Sequence, residues 1–393
     1  MDQVLNPYSP GAGVRPYELV GRSTELAEID VALQRVLLGR PARSQLLVGL
    51  RGVGKTVLLH EFGRVASRHG YIHEHIAVGP DGELPLRLAA ALRKALLKVG
   101  GKKKTKGADR RALGALKAFA LTLPDGGSLH LDVEAERGTA DSGDLAADLA
   151  ALFEEVGRAA RAHEAGVFLT IDEMQHLPRA SFEALVVGLH GAERLGLPIT
   201  VAGAGLPSLP ILKGEAGSYA ERLFRLRPIG SLSPEEGAAA LSGPATSVGV
   251  SWKGGAMARV WEVTQGFPTF VQEFARQAWD LAEEGSKVIR LGDVERSLPL
   301  ALAELDAGFF ALSAGQATEP ERRYLRAMAE VGPGVVSSTE VAQCLHKKTT
   351  QVAPVRDALL KKGLCYSPRF NELAFTVPLF DQFIRRSMPV AAG

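Results

Sequence analysis

Cysteine is nearly absent from this chain of 393 residues: only Cys344 and Cys365 occur, and neither stands at metal-ligand or redox spacing. That excludes a disulfide framework and makes a reduced, cytoplasmic setting the expectation. An excess of charge of one sign is also absent, with 46 Lys and Arg against 44 Asp and Glu. Contact with a polyanion would therefore have to come from local clusters, not from the global field. No apolar run approaches a membrane span, and Met1 to Gly13 is polar and rich in Pro and Gly, so neither a membrane partner nor a signal segment is expected. Internal repeats are lacking as well. What remains is enough chain for two or three domains, since this length exceeds what one core usually organises.

Helical spacing of Leu26, Ile29, Leu33 and Val36, with Ser23 or Thr24 as cap, predicts a first helix. A short apolar run, 45–50, then leads through a Gly-rich turn into the helical pattern Leu58, Leu59, Phe62, Val65 and Ala66. Further strands are expected at 71–78, 167–171 and 199–204, with helices at 144–162 and 181–195 between them. Strands alternating with helices imply an α/β fold with a parallel, helix-covered sheet. The stretch 79–143 is less regular and reads as an insertion, with a helix near 86–97, a strand at 128–133 and the basic run Lys102 to Lys106. That run reads either as a solvated loop or as a nucleic-acid contact. From 231 onward helices take over, at 234–241, 257–264 and 269–282, and the pattern breaks around 308–319.

Gly49-Leu50-Arg51-Gly52-Val53-Gly54-Lys55-Thr56 matches the phosphate loop G-x-x-x-x-G-K-[ST] between a predicted strand and a predicted helix, the context the motif requires. Its glycines let the backbone curl so that N–H groups face an anion, and the next helix directs its positive end at the same place. Lys55 supplies a point charge for the β- and γ-phosphates, and the Thr56 hydroxyl is a ligand for Mg²⁺. ATP and Mg²⁺ are the cofactors expected, with Gly49, Arg51, Gly52, Val53, Gly54, Lys55, Thr56 and Val57 as the binding set. The strand at 167–171 runs into Asp172 and Glu173. Asp172 is the candidate for the Mg²⁺ shell, and Glu173 for orienting or deprotonating the attacking water.

These features together resemble the AAA+ and STAND-like P-loop ATPases, in particular the archaeal-ATPase and origin-recognition-type group, over most of the chain. The resemblance implies an AAA+ core over 19–230 after an irregular leader, 1–18, then a helical lid, 231–310, and a winged helix-turn-helix domain, 318–393. Val20, Gly21 and Arg22 fall in the segment that in the family lies against the adenine, and Pro268 falls in the G-x-P element of the lid. Arg222, before a short strand, stands where such proteins place an arginine finger, which implies a homo-oligomer. Two positions depart from the pattern. The strand at 199–204 offers only Thr200 as a polar first sensor, and the lid has no second-sensor Arg, with Arg276 two turns further on. A slow, partner-stimulated switch fits these departures better than rapid turnover does.

The tail reads as three helices and a hairpin. Pro320 opens a helix that Gly332-Pro333-Gly334 closes, Ser337 and Glu340 form a capping box, and a turn at His346-Lys347-Lys348 precedes a helix over 354–362. Residues 364–366 and 373–377 then pair around Arg369-Phe370-Asn371. Lys347, Lys348, Arg356, Lys361, Lys362 and Arg369 are candidates for phosphate contact on DNA. The alternative is a regulatory module that touches a protein partner, to which Asp357 on the reading helix lends weight.

Overall fold

The computed structural model describes residues 1–11, 13–100, 107–123, 133–209 and 222–388. They form two compact units: Arg22–Val48 with Lys55–Pro228, and Met1–Gly21 with Gly49–Gly54 and Ile229–Gly393.

The first unit is built on five parallel strands: β1 (Ser44–Val48), β2 (Tyr71–Ala77), β3 (Gly166–Asp172), β4 (Ile199–Gly205) and β5 (Phe224–Pro228). They lie in the order β2-β3-β4-β1-β5, the parallel sheet that the alternation of elements called for. β1 and β3 are buried at every residue, as strands covered on both faces must be. Side-chain alternation divides them. Leu46, Val48, Val167, Leu169 and Ile171 join one apolar cluster with α3 (Leu84–Gly100), α4 (Gly107–Thr122), α5 (Leu145–Ala162) and α6 (Arg179–Arg194). The opposite parity, Phe168, Thr170 and Asp172, belongs to the face that α2 (Lys55–Arg68) packs on.

Several sequence expectations change here. α1 runs Ser23–Leu37, so Ser23 is its first residue and Arg22 takes the cap position, without a side-chain capping bond. In the supposed insertion, α3 and a second helix, α4, add Leu88, Leu92, Leu116 and Phe119 to the core. Alanine-rich stretches with few large apolar residues hid α4 from a periodicity reading. Of the strand expected at 128–133 only Val133 is described, as a bend, and the Lys102 to Lys106 run lies outside the described residues.

The second unit is mainly helical, with helices Pro234–Ser247, Gly254–Thr264 and Pro268–Leu281. Its leader is tied down: Tyr8 is buried, its hydroxyl donates to the Leu241 carbonyl, and Trp252 Nε1 donates to that hydroxyl at 2.7 Å. The break expected at 308–319 is narrower than that, because one helix continues through Leu291–Gly315, with a π turn at Leu305–Phe310, and the chain leaves helix only at 316–318. At 25 residues it is long and apolar enough to cross a membrane by composition, although Asp306 and Glu304 interrupt it.

Beyond it come helices Glu319–Val331, Ser338–Cys344 and Thr349–Lys361, then Phe380–Ser387. Glu340 accepts the Ser337 N–H at 3.1 Å and Ser337 Oγ accepts the Thr339 N–H at 3.2 Å, the reciprocal box expected there. The third helix begins five residues before Pro354, earlier than expected, since Gln351 accepts the Lys348 N–H at 2.8 Å and fixes the start. Three short strands, β6 (Val336–Ser337), β7 (Cys365–Tyr366) and β8 (Glu372–Phe375), pair antiparallel in the order β6-β8-β7.

Candidate functional site

In the sheet unit, strand parity brings the key polar groups together. Asp172 ends β3 on the α2 face, where Thr56 occupies the first turn, and Thr56 Oγ1 donates to Asp172 Oδ2 at 2.6 Å. The other oxygen, Oδ1, accepts the Glu173 N–H at 2.8 Å. Lys55 and Asp172 are both buried. Thr170, one pleat back on this face, contacts His73 Nε2 at 2.8 Å and His75 Nδ1 at 2.9 Å. Burial pushes His73 down to about 4, and His75 down as well, so both rings are neutral near pH 7.

Glu173 leaves the strand in the left-handed region, with φ 56°, and a 3₁₀ turn, Met174–His176, follows. That turn brings Gln175 back to Glu173: its Nε2 donates to Glu173 Oε2, while its Oε1 accepts the Leu206 N–H at 3.1 Å. Gly203 in β4 admits this turn, since a Cβ there would lie 2.1 Å from Met174 Sδ. Sequence reading missed Gln175. Its only signal was a polar residue two positions after paired acids.

Thr200 does not reach this end of the sheet. It pairs in register with Phe168, four residues before Asp172, and its hydroxyl lies 3.4 Å from Ser44 Oγ. In the basic stretch at β5, Arg225 and Arg227 both pair with Glu28, whereas Arg222 is exposed just ahead of the strand.

The loop residues Gly49–Gly54 group with the second unit. Gly52 and Gly54 have φ of 83° and 91°, which only glycine adopts freely. The Gly52 carbonyl accepts two bonds from Thr269, N–H at 3.3 Å and Oγ1 at 2.9 Å, and a Cβ on Gly52 would meet the Phe267 ring at 2.7 Å. Pro268, between them, opens its helix at the first turn. Arg51 donates to the Lys362 carbonyl at 3.3 Å. Gly21 is also left-handed, at φ 72°, beside the Glu236 carboxylate, while Val20 is half-buried and Arg22 buried. Arg276 is held by Glu273 at 2.7 Å and Asp280 at 3.4 Å.

In the C-terminal segment Lys347, Lys348, Lys361 and Arg369 are exposed, but Arg356 is not a free reader: Asp357 accepts from its Nε and Nη2 at 3.1 and 2.9 Å. Lys362 is also engaged, with Glu321 at 2.6 Å. Phe370 at the hairpin tip is 100% exposed. The tip is anchored, since Asn371 Nδ2 donates to Ser337 Oγ at 3.1 Å and the Asn371 carbonyl accepts the Ser338 N–H at 2.8 Å.

Residues 18–201 match the family described as AAA ATPase domain. With the phosphate loop and the Thr56–Asp172 pair inside that range, the chain is a P-loop ATP hydrolase. Residues 307–384 match a Domain of unknown function (DUF8462). Among solved structures, the fold is similar to the Walker-type ATPase paby2304 of Pyrococcus abyssi, with a TM-score of 0.61 and 15% identity over 95% of this chain and 98% of that one. Weaker likenesses are to the Aeropyrum pernix Orc1 protein in complex with DNA, at TM-score 0.47 and 16% identity over 95% and 94% of the two chains. The Thermotoga maritima RuvB Holliday junction branch migration motor follows at 0.45 and 16%, over 92% and 95%. No curated protein matches.

Proposed function

We propose that this ATPase binds Mg²⁺-ATP through the loop from Gly49 to Thr56, hydrolyses it slowly, and uses the nucleotide state to switch a C-terminal winged helix that contacts DNA. The observation that carries the nucleotide half is the 2.6 Å contact between the Thr56 hydroxyl and the Asp172 carboxylate. Two hard oxygen donors at the start of the loop's helix suit Mg²⁺, which takes one or two protein oxygens and leaves the rest of its shell to phosphate and water. When bound, the ion neutralises phosphate charge. Lys55 holds the β- and γ-phosphates, Gly49, Arg51, Gly52, Val53, Gly54 and Val57 complete the cradle, and Glu173 orients and deprotonates the water. Val20, Gly21, Arg22 and Pro268 serve the base of the nucleotide, and Arg222 serves a neighbouring copy in a homo-oligomer.

The DNA half rests on Lys347, Lys348 and Arg369, exposed on a module of three helices and an anchored hairpin, the arrangement of a winged helix-turn-helix. A cytoplasmic setting without membrane contact belongs to the same reading, supported by two unpaired cysteines. The Arg356–Asp357 pair favours a second reading, in which the module takes a protein partner, because it removes the one arginine suited to base edges. Fluorescence anisotropy on duplexes across a salt series, with ATP and with ADP, separates the two. The log–log slope is expected near −0.9 per phosphate neutralised, and removing Lys347, Lys348 and Arg369 together should flatten it by up to about three units. No binding to any duplex at low salt in either state would leave the protein-contact reading.

A further inference from the structure

Glu173 can serve as a base only if its carboxylate is held, and its backbone works against that, because it stands in the left-handed region just beyond the strand. The end of β4, the neighbouring strand, and the residue just past it, Gly203-Ala204-Gly205-Leu206, offer no polar side chain. It offers one polar group of use here, the Leu206 N–H, and Gln175 Oε1 accepts that N–H at 3.1 Å. This fixes the amide without ambiguity. A backbone N–H can only donate, so the oxygen of Gln175 must face Leu206 and the NH₂ must face Glu173, where the carboxylate oxygen accepts. Leu206 is itself buried directly after β4, so the far end of the bridge is held at the end of the sheet.

We infer that Gln175 is a positioning residue for hydrolysis: it tethers the Glu173 carboxylate to the end of β4, and so sets where the attacking water is held. The inference rests on Glu173 being the base. In that step the water oxygen bonds to the γ-phosphorus, its proton passes to Glu173, and the bond to the ADP oxygen breaks. A carboxylate held at one oxygen by an amide keeps the other free for the water, whereas an untethered one samples several rotamers, and misplacement by about 1 Å can cost on the order of 100-fold in rate.

Two substitutions separate positioning from a structural cap. Gln175→Glu keeps an acceptor for the Leu206 N–H but loses the donor to Glu173 and sets a like charge beside it. Gln175→Ala removes both bonds. Each is expected to lower kcat by roughly tenfold or more, with KM for ATP and the affinity for a fluorescent ADP analogue changed by less than about twofold. A residue that only satisfied Leu206 would leave Gln175→Glu at the parental kcat, and that result would overturn the inference. Glu173→Gln is measured alongside. If it is inactive while Gln175→Glu turns over like the parent, the tether alone is wrong; if Glu173→Gln itself turns over at the parental rate, the assignment of the base falls, and the tether with it.

Discussion

The two units keep their polar and apolar chemistry in different places. In the sheet unit, polar groups are threaded through the buried core by strand alternation: Thr170 and Asp172 share a face with Phe168, and His73 and His75 reach Thr170 from the neighbouring strand. In the helical unit the centre is a column of rings. Phe267 meets Phe270 at 4.8 Å between centroids, Phe270 meets Phe310 at 5.9 Å, and Phe310 meets Phe380 and Phe383 at 5.7 and 5.5 Å. One unit therefore places charge by the two-residue period of a strand. The other places a neutral column by helix packing, with Phe267 beside Gly52 of the phosphate loop. Charge and neutral packing are divided accordingly, and substitutions in the two units should fail differently.

The largest effect should come from the column. Phe310→Ala deletes a fully buried ring with four aromatic neighbours and should cost about 3–5 kcal/mol of stability. Thermal unfolding checks this, and a loss below about 1 kcal/mol would mean that the column is not a core. Lys55→Ala should act the other way, leaving the fold intact but weakening ATP by about 2–5 kcal/mol, because desolvated phosphates would lose their counter-charge. Titration with a fluorescent nucleotide is the measurement, and near-parental affinity in a folded variant would undo the division.

A subtler contrast is in pH. His73 titrates near 4 when folded, against about 6.5 when unfolded, so the unfolded chain binds more protons between those values. Stability is present in full above about 6.5 and falls as pH drops toward 4, and His73→Gln should flatten that fall while the rings, which do not titrate, contribute nothing to it. Unfolding curves at pH 7, 6 and 5 would reveal it; parallel pH dependence in parent and variant would count against it. The smallest change should follow Thr269→Val, which removes the hydroxyl bond to the Gly52 carbonyl but keeps the N–H bond, at a cost of about 1 kcal/mol. A shift in nucleotide affinity without a matching shift in unfolding temperature would show that Thr269 acts on the loop.

The sheet, its parallel order of elements and the Thr56–Asp172 pair were legible because each follows from local pattern: an apolar run, a glycine motif, an acid pair at a strand end. Gln175 was not legible, since its partners lie two residues away and just past another strand, 31 positions on, and no sequence period links them. Arg356 shows the opposite case. A basic residue on an exposed helix looks free until its neighbour Asp357 is seen to hold it. The break expected at 308–319 began too early, because a glycine such as Gly308 costs a helix only about 1 kcal/mol, which packing of the adjacent Phe309 and Phe310 readily outweighs.

That same stretch has one more consequence, for insertions and deletions. The turn at Leu305–Phe310 is wider than an α turn, and it lies within a helix continuous from Leu291 to Gly315. A turn of this kind absorbs one extra residue, so losing one there would let the helix close as a plain α turn with little change of phase, whereas losing one from the α turns before it would rotate all that follows by about 100°. In that second case Phe310 would no longer face Phe270 across the column. The wide turn is thus where the helix can change length, and the α turns before it hold the phase of the C-terminal helices.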